Sequence, residues 1–169
     1  YYWFLSRTDF RRMIDSGELL EWAEVHGELY GTPRRSLKEA AADGRRVVLD
    51  IDVQGARQIR EAVPEALLLF ILPPTLDALL QRLRGRGTEG EPALRRRLNT
   101  AVEELKTVDA FDFFVVNRDL QEAVREVLGL ARRGKPPPSG TSGSAADARR
   151  LLEEIGALLE TENALLRDQ

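Results

Sequence analysis

Two aspartates follow an apolar run near the middle of the chain and could hold a divalent metal ion or its waters. Asp50 and Asp52 come directly after Val47-Val48-Leu49 and alternate with apolar residues. Such a run predicts a strand buried on both faces, as in a parallel sheet, with both carboxylates on one side at its carboxyl end. Open α/β sheets bind ligands at that end. Alternatively, the acids could cap the helix predicted after Gly55.

An arginine-rich segment predicts an anion site. Arg82 and Arg86 lie four residues apart, glycines flank Arg86, and Arg97 follows on the next predicted helix. Guanidinium groups bind phosphate oxygens through paired hydrogen bonds and keep their charge. Glycines around an arginine indicate a lid that closes on a charged substrate. The alternative is a solvated basic helix surface with Arg–Glu pairs.

A third acid, Glu21, lies on an otherwise apolar face of a predicted strand at 19–25. A buried carboxylate must find hydrogen-bond donors. The guanine edge offers two, the ring N–H and the amino group, side by side. Thr32 could donate to a carbonyl oxygen, and Tyr2 and Tyr30 could donate to a phosphate. For each tyrosine, ordinary packing is the alternative.

Strand and helix patterns alternate along the chain, with continuous apolar strands, and predict an α/β fold with a parallel sheet wrapped by helices. Strands are predicted at 1–5, 19–25, from 47, at 66–72 and at 113–117; helices are predicted at 9–15, 33–43, 56–62, 76–84, 92–106, 120–133 and 145–167. Ser6 or Thr8 is expected to cap the first helix and Thr32 the second.

Composition narrows the classes of protein. The 169 residues are 43% hydrophobic and 31% charged, with a formal net charge of -3, which predicts a globular chain and gives no reason to expect nucleic-acid binding. Without cysteine, disulfides and thiolate metal sites are excluded, and the single His26 argues against a histidine metal cluster. No apolar run reaches the ~20 residues of a membrane span, so we expect a cytoplasmic protein with no membrane partner.

The motifs, taken in order, resemble those of guanylate kinases. They are Tyr2 to Phe4, Glu21-Trp22-Ala23-Glu24, Tyr30-Gly31-Thr32, Leu49 to Gly55, Phe70 to Pro74, Arg82 to Glu89 and Val115-Val116-Asn117. The resemblance covers about residues 1–133. It implies a P-loop kinase fold and transfer of a phosphoryl group from MgATP to GMP, giving ADP and GDP.

The resemblance also implies a role for each matching residue. The residues implied to bind GMP are Tyr2, Glu21, Tyr30, Gly31, Thr32, Asp50 and Asp52, with Asp50 near Mg²⁺, directly or through water. Arg82, Arg86 and Arg97 are the implied catalytic arginines. Arg82, Arg86 and Asn117 are the implied ATP ligands. In phosphoryl transfer, positioning and charge neutralisation supply nearly all of the catalysis.

One part of the family pattern is not found. The family begins with a strand, a P-loop of the form G-x-x-x-x-G-K-[ST] and a helix, and no such signature occurs in these residues. A near match at 129–136 is rejected because it ends a helix and has Pro136 after its lysine. We therefore expect an N-terminally truncated guanylate kinase that is inactive or weakly active. The alternative is a non-catalytic guanylate kinase-like module that binds GMP or a protein.

The C-terminal part predicts a separate helix. Residues 1–133 are expected to form the kinase-like domain, with a GMP-binding part at about 1–35 and a lid at about 84–95. Residues 134–144 form a linker rich in Gly, Pro and Ser, and 145–169 an amphipathic helix. Three alternatives stay open for its apolar stripe: docking on the domain, self-association as a coiled coil, or the start of a further segment.

Overall fold

The computed structural model describes residues 3–25, 27–85, 90–133 and 141–167 of the chain. The backbone divides into two compact units, residues 1–66 and residues 67–169. Tyr2, His26 and Arg86, which the sequence singled out, lie outside the described residues.

The described residues of the first unit form a two-stranded antiparallel sheet and three helices. Its elements are α1 (Arg7–Asp15), β1 (Leu19–Val25), β2 (Glu28–Pro33), α2 (Arg34–Ala42) and α3 (Val53–Ala62). Ser6 caps α1, since its hydroxyl accepts from the Asp9 N–H at 3.1 Å, which confirms one of the two predicted caps. The predicted strand at 19–25 is confirmed with the same bounds. Glu21 in β1 lies opposite Thr32 in β2.

Alternation along β1 decides which side chains enter the first core. Leu19 and Ala23 are 6% and 3% exposed and share their face with Glu21, which is 4% exposed. Phe10 of α1 and Ile59 of α3 are also buried in this unit. The face of β1 that contributes to the apolar core therefore also buries one carboxylate, that of Glu21.

Two strand predictions and one cap prediction in this unit are wrong. Residues 45–52 form no regular structure, and Val48 is 70% exposed. Within the described residues no strand pairs with this run, and an apolar run without a backbone partner cannot form a ladder. Residues 3–5 are also irregular, with Phe4 97% exposed. Thr32 lies inside β2 and Pro33 takes the cap position of α2.

The second unit is built on a parallel strand pair. Its elements are β3 (Leu69–Leu72), α4 (Leu76–Gly85), α5 (Glu91–Leu105), a short 3₁₀ helix (Val108–Ala110), β4 (Phe113–Val116), α6 (Leu120–Arg133) and α7 (Ala145–Arg167). Leu69 to Leu72 pair with Phe113 to Val116 residue by residue. The predicted α/β class with a parallel sheet is confirmed, and all four residues of β4 are buried, as expected of a parallel strand.

The C-terminal helix α7 docks on this unit, which is one of the three alternatives that the sequence left open. Ala148 and Ile155 are fully buried in a core with Leu72 and Leu98. The chain just before α7 lies along β4, because the Gly143 N–H donates to the Phe114 carbonyl at 3.2 Å. Ser142 Oγ accepts from the Val116 N–H at 2.9 Å. These bonds satisfy backbone groups of β4 and fix the start of the helix.

Candidate functional site

Among the described residues of the chain, Glu21 is the one charged residue whose side chain is buried. Its Oε1 accepts a hydrogen bond of 2.6 Å from the hydroxyl of Thr32, directly across the strand pair. Cross-strand neighbours have their Cβ atoms about 5 Å apart, so this contact follows from the register alone. The structure thus brings together two residues that the sequence placed on one guanine-binding surface.

Burial raises the pKa of Glu21 above its ordinary value of 4.5. The hydroxyl and backbone N–H of Thr32 act in the opposite direction, and the negative charge of Asp52 raises the pKa further. Burial dominates because taking a carboxylate out of water penalises its charged form. Such a group gains from any ligand that brings hydrogen-bond donors.

The amino end of α3 forms the wall behind this carboxylate. Asp52 caps the helix, since its Oδ1 accepts from the Gly55 N–H at 2.8 Å, so the helix-cap alternative is the role seen for this acid. A Cβ atom on Gly55 would lie only 2.6 Å from Glu21 Oε2. Any other residue here would therefore displace the carboxylate of Glu21 or move the helix.

Three further candidates from the sequence lie in the same unit. Asp50 is exposed in the irregular segment before α3, so the predicted strand does not present it. Tyr30 in β2 is 47% exposed. Gly31 does not have a positive φ, and its role in the structure is close packing: a Cβ atom there would lie 2.8 Å from the Glu21 carbonyl oxygen and 3.1 Å from Phe10.

In the second unit, two candidates meet at the carboxyl ends of the parallel strands. Asn117 follows β4, and its N–H donates to the Leu72 carbonyl at 2.8 Å. Arg82 of α4 donates from Nη2 to the Asn117 carbonyl at 2.7 Å. Arg97 of α5 donates from Nη1 to the Leu83 carbonyl at 2.8 Å, which ties α5 to α4. The side chain of Arg82 is exposed, so its guanidinium lies at the surface beside the strand ends.

Gly55 and Gln58 contact the strand that carries Glu21, and the sequence did not identify either as a candidate site residue. A glycine in the first turn of a helix is a readable signal, because helices disfavour it unless close packing requires it. Gln58 carried no signal, since a glutamine in a helix is ordinary; its contacts with β1 exist only in the folded chain.

A dedicated protein cage for a metal is not seen in the part of the chain that the structure describes, where no group of three or more His, Asp or Glu side chains converges. Mg²⁺ in phosphate-transfer sites is usually held by one or two carboxylates, water and the substrate phosphates. The exposed Asp50 fits that kind of ligand set. Among the described helices, none is long and apolar enough to cross a membrane.

The guanylate kinase family model matches this chain over residues 1–132. Curated relatives named guanylate kinase include one from Rhodococcus jostii, 48% identical over 140 residues, which cover 82% of this chain and 67% of the relative. Another, from Symbiobacterium thermophilum, is 43% identical over 159 residues, covering 94% of this chain and 74% of the relative. The chain thus spans about two thirds to three quarters of these proteins.

A solved structure is also similar, the crystal structure of guanylate kinase from Anaplasma phagocytophilum. The TM-score is 0.65 at 30% sequence identity, and the match covers 90% of this chain and 73% of that one. The similarity extends beyond the residues that the family model matches.

Proposed function

The chain belongs to the guanylate kinase family, and we propose that it binds GMP in the Glu21 pocket and takes part in phosphoryl transfer from MgATP. In this reaction a phosphate oxygen of GMP bonds to the γ-phosphorus of ATP, the bond from that phosphorus to the β–γ bridging oxygen breaks, and ADP and GDP form. The observation that carries the proposal is the buried carboxylate of Glu21 held beside Thr32 and near Asp52.

Guanine matches this pocket because its edge carries adjacent donors. The ring N–H and the 2-amino group present three hydrogens to the pair of acids, and a carboxylate that ionises against burial gains most from charge-assisted hydrogen bonds. Asp52 uses Oδ1 to cap α3, and its Oδ2 accepts from Gln54 Nε2 at 3.1 Å. A carboxylate oxygen can accept a second hydrogen bond, and Oδ2 is the one proposed to accept from guanine. Adenine presents only an acceptor at the same ring position, so it would offer Glu21 no hydrogen-bond donor from that position.

Thr32 is proposed to bind the guanine carbonyl oxygen. Its hydroxyl proton is donated to Glu21 in the structure, at 2.6 Å. Guanine donors would take the place of that proton on the carboxylate, and the hydroxyl could then rotate toward the base carbonyl. Tyr30, at the surface of β2, is proposed to bind the GMP phosphate, as is Tyr2.

The arginines and Asn117 are proposed for the ATP side of the reaction. A guanidinium beside the carboxyl ends of parallel strands suits a phosphate, because its charge does not depend on pH. We assign phosphate neutralisation to Arg82, Arg86 and Arg97, and an adenine contact to Asn117. When bound, Mg²⁺ would neutralise phosphate charge, with Asp50 holding it or one of its waters.

The test is calorimetric titration of the 169-residue chain with GMP, and separately with ATP and Mg²⁺. The GMP titration tests the pocket around Glu21, and the ATP titration tests the residues proposed for the ATP side. We expect GMP to bind and AMP, which lacks the guanine donors, to bind at least about a hundredfold more weakly. Equal affinity for GMP and AMP would refute the assignment of the pocket to guanine.

A cytoplasmic location stays a prediction.

A further inference from the structure

Gln58 of α3 makes a pair of hydrogen bonds to the strand that carries Glu21. Its Nε2 donates to the Trp22 carbonyl at 2.6 Å, and its Oε1 accepts from the Trp22 N–H at 3.1 Å. The side chain amide therefore satisfies both backbone groups of Trp22, as a neighbouring strand would. Trp22 directly follows Glu21, so the contact fixes the backbone next to the carboxylate.

The same face of α3 also touches the carboxylate. Gly55 precedes Gln58 by three residues, so the two lie together on one side of the helix. A Cβ atom on Gly55 would lie 2.6 Å from Glu21 Oε2. One helix face thus holds the backbone of β1 through Gln58 and limits the position of the Glu21 carboxylate through Gly55.

We propose that Gln58 is a positioning residue that sets the selectivity of the Glu21 pocket for purines carrying a 2-amino group. This inference rests on the proposed binding of GMP and goes beyond it by assigning the selectivity to a residue that does not touch the base. Recognising two adjacent donors requires both to align with acceptors. A strand free to shift against α3 would retain contact with one donor more easily than with both.

IMP is the probe that separates alignment from overall binding. Its base keeps the ring N–H and the carbonyl oxygen of guanine but lacks the 2-amino group. The ratio of GMP affinity to IMP affinity therefore reports on the 2-amino contact alone. Loss of folded protein lowers the apparent affinity for both nucleotides by the same factor and leaves the ratio unchanged.

The experiment measures both affinities by calorimetry for the full chain and for Gln58→Met, which keeps the length of the side chain and removes both hydrogen bonds. A matched control is Gln121→Met, the same exchange at an exposed position of α6. For the wild-type chain and the control we expect GMP to bind about tenfold or more tightly than IMP. For Gln58→Met we expect the ratio to fall by at least about threefold.

A second variant, Gln58→Glu, keeps an acceptor for the Trp22 N–H but places a carboxylate oxygen against the Trp22 carbonyl, where Nε2 donates at 2.6 Å. Two acceptors repel each other at that distance, so its ratio should also fall by at least about threefold. A ratio within about threefold of the wild-type ratio in both variants overturns the proposal. If both variants are unfolded and bind neither GMP nor IMP, the proposal is also overturned, because Gln58 would then have a role in folding alone. Failure of the wild-type chain to bind GMP would refute the proposed function instead.

Discussion

Replacing Glu21 by Gln is expected to weaken GMP binding while leaving the fold intact. The exchange keeps the shape of the side chain and an oxygen that can accept from Thr32, but it places an NH₂ group where the guanine donors should bind. Glu21 is 4% exposed, so water cannot compensate the unpaired donors. Unpaired buried donors and a lost charge-assisted hydrogen bond cost about 2–4 kcal/mol together. That is about 30- to 700-fold in the dissociation constant.

Stability should change in the opposite direction. The raised pKa of Glu21 means that the ionised carboxylate is less stable in the folded protein than in the unfolded chain. Its contribution to stability is therefore present below 4.5, the ordinary pKa, and is lost as pH rises through the raised value. Gln carries no charge, so the variant should be at least as stable as the wild type at neutral pH.

The assay combines calorimetric GMP titration with urea unfolding at neutral pH. The control is Glu24→Gln on the same strand, an exposed residue 3.6 Å from Arg7 in a surface ion pair of small energetic value. We expect the control to match the wild type in both measurements. Unchanged GMP affinity in Glu21→Gln, or a loss of affinity that follows only from unfolding, would refute the reasoning.

Three further outcomes follow from the same structure. Gly55→Ala should reduce GMP affinity about tenfold or more, because the added Cβ would lie 2.6 Å from Glu21 Oε2. The loss is expected although Ala is more favourable than Gly in a helix by about 1 kcal/mol. Unchanged affinity in a calorimetric titration would contradict this prediction. Guanosine, which has no phosphate to titrate, should bind more weakly as pH falls from neutral toward 4.5, since protonated Glu21 cannot accept both donors; a flat calorimetric profile would disprove it. Ile155→Ala should lower the free energy of unfolding by about 2–5 kcal/mol, because Ile155 is fully buried. The control Leu128→Ala, at a 45% exposed position, should change the free energy of unfolding by no more than about 0.5 kcal/mol. Urea unfolding measures both.

Most of the elements could be predicted from local patterns in the sequence. The strand at 19–25 follows from the alternation of its side chains, and the first helix follows from apolar spacing with Ser6 as its cap. These are short-range properties, decided within about one turn or one strand. The run at 47–49 shows where this reasoning fails, because hydrophobicity indicates a buried segment but does not supply the strand that must pair with it.

By itself, the sequence determined the family, the α/β class and the acid on an apolar strand face, because ordered motifs and side-chain periodicity are written in residue types. Only the tertiary structure decided what surrounds Glu21. The contact with Thr32 depends on the register of β1 and β2, and the approach of Gly55 and Gln58 depends on how α3 packs across residues far apart in sequence. Burial and the nearby Asp52 raise the pKa of Glu21. Both effects arise only in the folded chain, because folding brings distant segments together, excludes water from the carboxylate and places another negative charge near it.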